Sequence, residues 1–262
     1  MTAQGESMVD LGLAGRRVLV TGGTSGIGLA VADAFADEGA HVGIIGRSPQ
    51  RLFTALEDLR RRHPRAMIVG GSCDISAEPA VQSTTNDLVS QLGGLDHLVS
   101  SAGISGSLGG TVDQVAAEEF MEVQRTNVLG PFLAIKTALP HLREGTDATY
   151  TLIGSDSGFV TVPGMLAYNA SKGAIVQLTR ALSTELYNDG IRVNSICPSI
   201  VDTPMARDGL GIDSFQDAGY PVSKPANIAW LVLSLASPLS GPVNGVSLLA
   251  DYGYHARSSF PA

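Results

Sequence analysis

Tyr168 and Lys172 lie four residues apart near the start of a predicted helix, and this spacing can support acid–base chemistry. Residues four apart share a helix face, so the Lys172 ammonium group can lie beside the Tyr168 phenol. A nearby positive charge stabilises a phenolate, and we therefore expect it to lower the pKa of Tyr168 and assist proton transfer near neutral pH. Taken alone, Tyr-x-x-x-Lys also occurs by chance on surface helices.

Ser155 lies thirteen residues before Tyr168, directly after a predicted strand. Ligands bind at the carboxyl ends of strands in open α/β sheets, where a serine hydroxyl can hydrogen-bond a carbonyl oxygen. Ser157 is a local competitor, and spacing alone does not choose between the two serines. Asn127 precedes a helix-like run and can also be interpreted as a helix cap.

The segment TGGTSGIG, residues 21–28, joins the first predicted strand to the first predicted helix. Glycine permits a sharp turn and lets a pyrophosphate approach the backbone, while the helix that follows offers free N–H groups and a positive dipole end. The strand–turn–helix context indicates a dinucleotide site rather than a simple strand exit. No lysine follows Gly28, which excludes the other common glycine-rich phosphate loop.

The second predicted strand ends in Gly46-Arg47-Ser48, where an acidic residue would bind the ribose 2′-hydroxyl group of NAD. A guanidinium group instead suits a 2′-phosphate, so we expect NADP(H) to be favoured over NAD(H). The alternative is an exposed arginine that precedes a proline-started helix. Replacement of Gly46 by Asp is expected to shift the preference toward NAD.

Predicted strands and helices alternate along the chain and would place these residues at strand ends. The alternation indicates one α/β domain over residues 1–262, with a doubly wound parallel sheet of about seven strands and helices on both faces. Residues 203–223 have the weakest pattern, and we expect them to form a mobile substrate loop. The predicted strands are 16–21, 41–45, 66–69, 96–100, 149–153, 191–196 and 246–249. The predicted helices are 26–38, 49–62, 77–92, 112–126, 128–142 (with a bend at Gly130-Pro131), 168–188 and 225–235.

Composition and charge exclude several classes of protein. The 262 residues include 25 acidic and 17 basic side chains, giving a net charge of −8, which does not fit a nucleic-acid binder. We interpret the basic cluster at residues 60–65 as a solvated helix end. Two cysteines exclude a disulfide framework, no metal site is expected, and no apolar run is long enough to span a bilayer. The N-terminus lacks the charged-then-apolar pattern of a signal peptide, and we therefore expect a cytoplasmic protein.

These residues together resemble the compact subtype of the short-chain dehydrogenase/reductase family. The features that follow that family's order and approximate spacing are the turn at 21–28, Asn127, Ser155, Tyr168-x-x-x-Lys172 and the segment PSIVDT at 198–203. The resemblance extends from about residue 11 to residue 253. It implies a Rossmann-like sheet and an NADP(H)-dependent enzyme that transfers a hydride between nicotinamide and a small ketone or secondary alcohol. A homotetramer or homodimer is also implied.

The resemblance assigns a role to each catalytic candidate. Tyr168 would be the acid–base catalyst, and Lys172 would lower its pKa and bind the nicotinamide ribose. Ser155 would orient and polarise the carbonyl group, and Asn127 would hold a water that connects Lys172 to solvent. The residues implied to contact the cofactor are Gly22, Thr24, Ser25, Gly26, Ile27, Gly28, Arg47, Asp74, Ile75, Ser101, Ala102, Gly103, Tyr168, Lys172, Pro198, Val201 and Thr203.

Three departures from the family pattern concern the backbone around the cofactor. Ser100-Ser101 stands where the family usually has Asn-Asn, Ser199 replaces a glycine after Pro198, and Gly154 precedes Ser155 in place of a serine. The intact catalytic set favours an enzyme over a catalytically silent dinucleotide-binding regulator or scaffold. The short chain, which has no separate C-terminal substrate domain, argues against an epimerase or dehydratase.

The substrate pocket is expected to be mainly apolar. Phe159, Val160, Met165 and the 203–223 segment are predicted to line it, with Asp156 nearby. Nothing in this set indicates a charged substrate, and ordinary packing is the alternative explanation for Phe159 and Met165.

Overall fold

The computed structural model describes residues 9–257, and its centre is one sheet of seven parallel strands. The spatial order is β3-β2-β1-β4-β5-β6-β7, so the chain moves outward from β1 to β3 and then returns to the other side of β1. The predicted parallel, doubly wound sheet is confirmed. The strands are β1 (Arg17–Thr21), β2 (His41–Gly46), β3 (Ile68–Ser72), β4 (His97–Ser100), β5 (Thr149–Ile153), β6 (Arg192–Pro198) and β7 (Ser247–Ala250).

Eight α-helices cover the two faces of the sheet within residues 9–257. Side chains of β1 alternate between the faces: Val18 and Val20 pack with α1, α2 and α8, whereas Leu19 packs with α3, α5 and α6. The strands are therefore buried on both sides, as a parallel sheet requires. The helices are α1 (Gly26–Asp37), α2 (Pro49–Arg62), α3 (Glu78–Leu92), α4 (Ala117–Gln124), α5 (Gly130–Arg143), α6 (Leu166–Glu185), α7 (Pro204–Leu210) and α8 (Pro225–Ala236).

The carboxyl ends of β1 and β4 define the functional edge of this sheet. The two strands are neighbours, yet their following connections run to opposite faces, which opens a crevice above them. Ligands of doubly wound sheets bind in the crevice at such a switch point. The fold therefore places the loops after β1, β4, β5 and β6 around one space.

Several predicted element boundaries are wrong. The glycines at 70 and 71 concealed the second half of β3, which runs to Ser72 rather than ending at residue 69. The helix predicted from residue 112 begins at Ala117, and Val112 is 76% exposed outside it. The helical backbone continues through Gly130 and Pro131, because a π-helical segment, Arg125–Leu129, joins α4 to α5 without a break.

Candidate active site

The β1–α1 turn packs directly against the chain that leaves β4. Gly22 has a φ of +69°, and a Cβ atom added there would lie 2.6 Å from the backbone nitrogen of Ala102. The Ser101 N–H group donates to the carbonyl of Thr21 at 3.1 Å, which locks the two segments together. Both the left-handed backbone and the close approach therefore require glycine at position 22.

Replacement of Gly22 by Ala is expected to weaken both the fold and dinucleotide binding. The left-handed conformation strains any L-residue, and the overlap with Ala102 adds a further cost. Gly190→Ala is the matched control, since Gly190 has a φ of +71° and nothing lies within 4 Å of the added Cβ. Urea unfolding should show Gly22→Ala to be less stable than Gly190→Ala by about 1–3 kcal/mol. Equal losses in the two variants would contradict the close approach.

The amino end of α1 faces the crevice with free backbone donors. Ser25 precedes the helix in an extended conformation, and its side chain makes no capping hydrogen bond. The first N–H groups of α1 thus remain available, and the helix dipole favours an anion there. Gly28 packs beneath the turn, where a Cβ would overlap the Gly22 carbonyl. These features fit the pyrophosphate group of a dinucleotide.

A cleft of about 830 Å³ runs along the carboxyl ends of the strands, from the end of β2 to α7. It brings together all the predicted site residues except Gly28 and Asn127. The predicted residues that line it are Gly22, Thr24, Ser25, Gly26, Ile27, Arg47, Asp74, Ile75, Ser101, Ala102, Gly103, Ser155, Tyr168, Lys172, Pro198, Val201 and Thr203. The chain regions that the sequence predicted to form one site are therefore neighbours in space.

Tyr168 and Lys172 project from the first turns of α6 into this cleft. The Lys172 ammonium nitrogen lies 5.4 Å from the centre of the Tyr168 ring and donates a hydrogen bond to the carbonyl of Ile153 at 2.9 Å. That carbonyl belongs to the last residue of β5, so the strand end fixes the amine beside the phenol. The side chain of Lys172 is buried.

Ser155 lies at the end of β5 with its hydroxyl held by two neighbours. Its Oγ atom accepts a hydrogen bond from the Ser157 N–H group at 3.1 Å and donates one to Oδ1 of Asp156 at 3.0 Å. Ser155 is buried, and its hydroxyl lies near enough to the Tyr168 phenol to act on the pKa of that phenol. The structure thus places the hydroxyl of Ser155 against the tyrosine and uses the Ser157 backbone to support it.

Burial sets the protonation of this pair. Burial raises the pKa of Tyr168 to about 12, and the negative charge of Asp156 raises it further, although the hydrogen bond with Ser155 opposes both. Burial also lowers the pKa of Lys172 to about 8. The pKa of Tyr168 is therefore raised, not lowered as expected from the neighbouring Lys172, because desolvation of the phenolate is the largest effect. At pH 7 the phenol is protonated and able to donate.

Asn127 lies behind the cleft in the π-helical segment between α4 and α5. Its Oδ1 atom accepts from the Ile104 N–H group at 2.8 Å, and its Nδ2 atom donates to the Ile104 carbonyl at 2.9 Å and to the Ser171 hydroxyl at 3.0 Å. The alternative of a helix cap is wrong, since the helix continues on both sides. The side chain ties the loop after β4 to α6.

Comparison with known proteins decides the family. A family model described as enoyl-(acyl carrier protein) reductase matches residues 22–255, which covers the cleft and nearly the whole sheet. The chain belongs to the short-chain dehydrogenase/reductase family. It is an enzyme of the class that acts on CH–OH or C=O groups, and its fold binds a nicotinamide dinucleotide.

Similar members of the short-chain dehydrogenase/reductase family differ in substrate and cofactor. This chain is 33% identical over 251 residues to 2-(R)-hydroxypropyl-CoM dehydrogenase of Xanthobacter autotrophicus, covering 92% of this chain and 99% of that relative. A short-chain dehydrogenase from Burkholderia cenocepacia in complex with NADP has a TM-score of 0.84 and 30% identity, covering 94% of this chain and 99% of that one. The 3-ketoacyl-(acyl-carrier-protein) reductase from Brucella melitensis complexed with NADH also has a TM-score of 0.84 and 30% identity, covering 93% and 99%.

This dehydrogenase/reductase compensates for two of its departures from the family pattern. A Cβ at Gly154 would lie 2.6 Å from Sγ of Cys197 on β6, so the cysteine occupies the space that a side chain at 154 would need. The Ser100 hydroxyl pairs with Tyr150 at 2.9 Å, and the buried phenol donates to the Pro131 carbonyl at 3.0 Å. Neither Cys197 nor Tyr150 was predicted as a site residue, because both lie within apolar strand segments that do not indicate these contacts.

The substrate end of the cleft in this dehydrogenase/reductase differs from the expectation. Phe159 and Val160 are exposed outside it, at 41% and 38%, and only Met165 of the three predicted apolar residues lines it. The 203–223 segment contributes the helix α7, which the weak sequence pattern did not predict. The other apolar side chains at this end are Leu108, Val162, Met205 and Leu210.

Two loops meet above this end of the cleft. The Gly109 N–H group, after β4, donates to the Gly164 carbonyl, after β5, at 2.9 Å. A Cβ at Gly164 would lie 2.7 Å from the backbone of Gly109, so the two glycines permit the contact. We call this contact the glycine bridge. Leu108, beside the bridge, packs against α7 at Gly209.

Within residues 9–257, no helix is both long enough and apolar enough to cross a membrane. Within the same residues, no group of three His, Cys, Asp or Glu side chains is arranged to hold a metal ion.

Proposed function

We propose that this chain is an NADP(H)-dependent oxidoreductase that interconverts a ketone and a secondary alcohol. The observation that carries the proposal is the pair of the half-buried Tyr168 and the buried Lys172, with Ser155 beside it, in the same cleft as the β1–α1 turn. The nicotinamide cofactor, when bound, supplies or accepts the hydride. The β1–α1 turn would hold its pyrophosphate group, and Arg47 would hold its 2′-phosphate.

The proton chemistry belongs to three side chains. In reduction, Tyr168 donates its phenolic proton to the substrate oxygen, because the raised pKa keeps the phenol protonated at neutral pH. Ser155 turns its hydroxyl toward the same oxygen and stabilises the developing negative charge. Lys172 keeps an ammonium group near the phenolate that forms. In oxidation the same atoms act in reverse, so Tyr168 accepts the proton.

In this proposal, Asn127 is a residue that positions the catalytic pair. It joins the Ile104 backbone to Ser171, which is the residue before Lys172. Its side chain therefore keeps the loop after β4 in register with the helix that presents the catalytic pair. Its oxygen would also hold the water through which Lys172 recovers a proton from solvent.

The experiment that tests the function is a ketone screen with purified protein. NADPH oxidation is followed by absorbance, and NADPH binding is measured separately by fluorescence. Turnover of at least one ketone is expected. Tight NADPH binding without turnover of any ketone would favour a catalytically silent regulator and contradict the proposal.

Arg47→Ala is expected to remove the preference for NADP(H). Arg47 is exposed at the edge of the cleft, and its charge adds to the hydrogen bonds from Ser76 that lower the pKa of the nearby Asp74. Loss of a phosphate-binding guanidinium group should raise the KM for NADPH about 10- to 100-fold and leave that for NADH nearly unchanged. The control is Arg65→Ala, an exposed arginine outside the cleft. Equal increases for both cofactors would contradict the assignment.

In this structure, Gly46→Asp is a poor test of cofactor preference. A Cβ at Gly46 would overlap the methyl group of Thr24 in the β1–α1 turn. Gly46→Asp would therefore disturb the turn as well as add a negative charge. Arg47→Ala changes the charge without that overlap, which makes it the cleaner variant.

We further propose that one domain spans the chain and that residues 203–223 move when substrate binds. The predicted domain limits include residues 1–8 and 258–262, which lie outside the described residues. A homodimer or homotetramer in the cytoplasm fits the exposed apolar side chains of α4, α5 and α6, such as Met121, Phe132 and Leu166. Size-exclusion chromatography with light scattering tests the assembly.

A further inference from the structure

Asp156 presents an unpaired carboxylate at the substrate end of the cleft. It follows Ser155 directly, is half-buried and lines the cleft. Its Oδ1 atom accepts a hydrogen bond from the Ser155 hydroxyl at 3.0 Å. Within residues 9–257 the carboxylate forms no ion pair. A half-buried carboxylate keeps further lone pairs that favour a hydrogen-bond donor.

The cations near the cleft are engaged or remote from Asp156. Arg47 and Arg51 lie at the far end, beside β2. Lys172 donates to the Ile153 carbonyl, and Arg207 on α7 is paired with Asp202 at 2.7 Å. The Asp156 carboxylate is therefore the charged group in direct contact with the Ser155 hydroxyl, and it disfavours an anionic group beside it.

The cleft that Asp156 lines also has apolar side chains. They include Leu108, Val162, Met165, Met205 and Leu210. An alkyl or aryl group would be buried against them, and a charge placed there would lack a partner. The site thus combines a single polar anchor with an apolar wall.

We propose that the substrate is a ketone, or the matching alcohol, that carries an apolar group and a hydrogen-bond donor close to the carbonyl carbon. The donor is a hydroxyl group or a protonated amine, and Asp156 binds it. Because Asp156 and Ser155 are adjacent and hydrogen-bonded, the donor lies one or two carbons from the carbonyl group. This assignment rests on the proposed function, and it adds that keto acids are rejected.

Binding of such a donor also changes the state of Ser155. The Ser155 proton points to Asp156 in this structure, and a substrate donor bound at another lone pair of the carboxylate weakens its attraction for that proton. The serine hydroxyl is then released toward the substrate oxygen, where it is needed. A substrate without the donor leaves Ser155 directed at Asp156. The donor group therefore improves turnover as well as binding.

The test uses four aryl ketones of similar size: acetophenone, α-hydroxyacetophenone, α-aminoacetophenone and phenylglyoxylate. The wild-type enzyme is expected to prefer the hydroxy and amino ketones over acetophenone and to reduce phenylglyoxylate least. Asp156→Asn keeps the shape and removes the charge. Relative to acetophenone in the same variant, it should lower kcat/KM for the amino ketone about tenfold or more and improve phenylglyoxylate. The hydroxy ketone should lose less than the amino ketone, which distinguishes the two donors.

The matched control is Asp87→Asn, which removes an exposed carboxylate on α3, outside the cleft, and should leave the order of the four ketones unchanged. A second readout is the thermal shift caused by each compound on the Tyr168→Phe variant bound to NADPH, which ranks binding without turnover. A preference for phenylglyoxylate, an order unaffected by Asp156→Asn, or binding of none of the four compounds would overturn the assignment. Failure to reduce any ketone would overturn the proposed function, and the thermal shifts would still decide the charge preference.

Discussion

Tyr168→Phe is expected to lower kcat for ketone reduction by about 10²- to 10⁴-fold, the usual contribution of a positioned general acid. The change removes one oxygen atom from a half-buried ring and keeps the ring itself. Because the raised pKa holds the phenol protonated at pH 7, the lost group is the proton donor itself. Stopped-flow absorbance at saturating NADPH and ketone measures the effect.

The affinity for NADPH separates this chemical role from a structural one. It should stay within about threefold of the wild-type value in Tyr168→Phe, since a transition-state contact contributes little to ground-state cofactor binding. Tyr187→Phe serves as the control, because Tyr187 is 72% exposed and does not line the cleft. Turnover that survives Tyr168→Phe would refute the assigned mechanism.

Lys172→Met is expected to abolish most turnover while making the protein more stable at pH 7. The folded protein lowers the pKa of Lys172 from 10.5 to about 8, so the charged amine is disfavoured by burial. Between pH 8 and 10.5 the unfolded chain binds more protons, and wild-type stability therefore rises with pH across that range. Below pH 8 the full penalty is present.

Removal of the amine should raise the free energy of unfolding at pH 7 by about 1–2 kcal/mol, after allowing for the hydrogen bond lost from the Ile153 carbonyl. The rise in stability between pH 8 and 10.5 should largely disappear. Urea titrations at pH 7 and pH 9.5, together with kcat, measure both effects. A variant that is less stable than wild type at pH 7 would show that the buried ammonium group stabilises the fold.

The parts of the site that follow a local pattern could be predicted from the sequence. The Gly22 turn lies between a strand and a helix, and the Tyr168–Lys172 spacing is one helical turn, so neither depends on distant contacts. Strand alternation then places both at the same edge of the sheet. The family resemblance supplied Asn127, which no local pattern would have distinguished from a helix cap.

The parts that depend on tertiary packing could not be predicted. Desolvation of Tyr168 depends on residues from several strands, and it reverses the pKa shift that the neighbouring lysine predicts. The space for Cys197 exists only because Gly154 lies beside it on the adjacent strand. The orientation of Ser155 toward Asp156 is a choice of side-chain rotamer, which residue types alone do not determine.

The glycine bridge has a consequence for how substrate preference can diverge. Gly109 and Gly164 join the two loops through main-chain atoms, so side chains beside them can change without loss of the hydrogen bond. Leu108 and Val162 can therefore be exchanged while the glycine bridge stays in place, whereas Tyr168 and Lys172 belong to the helix behind it. Mutant libraries confined to Leu108 and Val162 would explore new substrates while leaving the proton-transfer groups undisturbed.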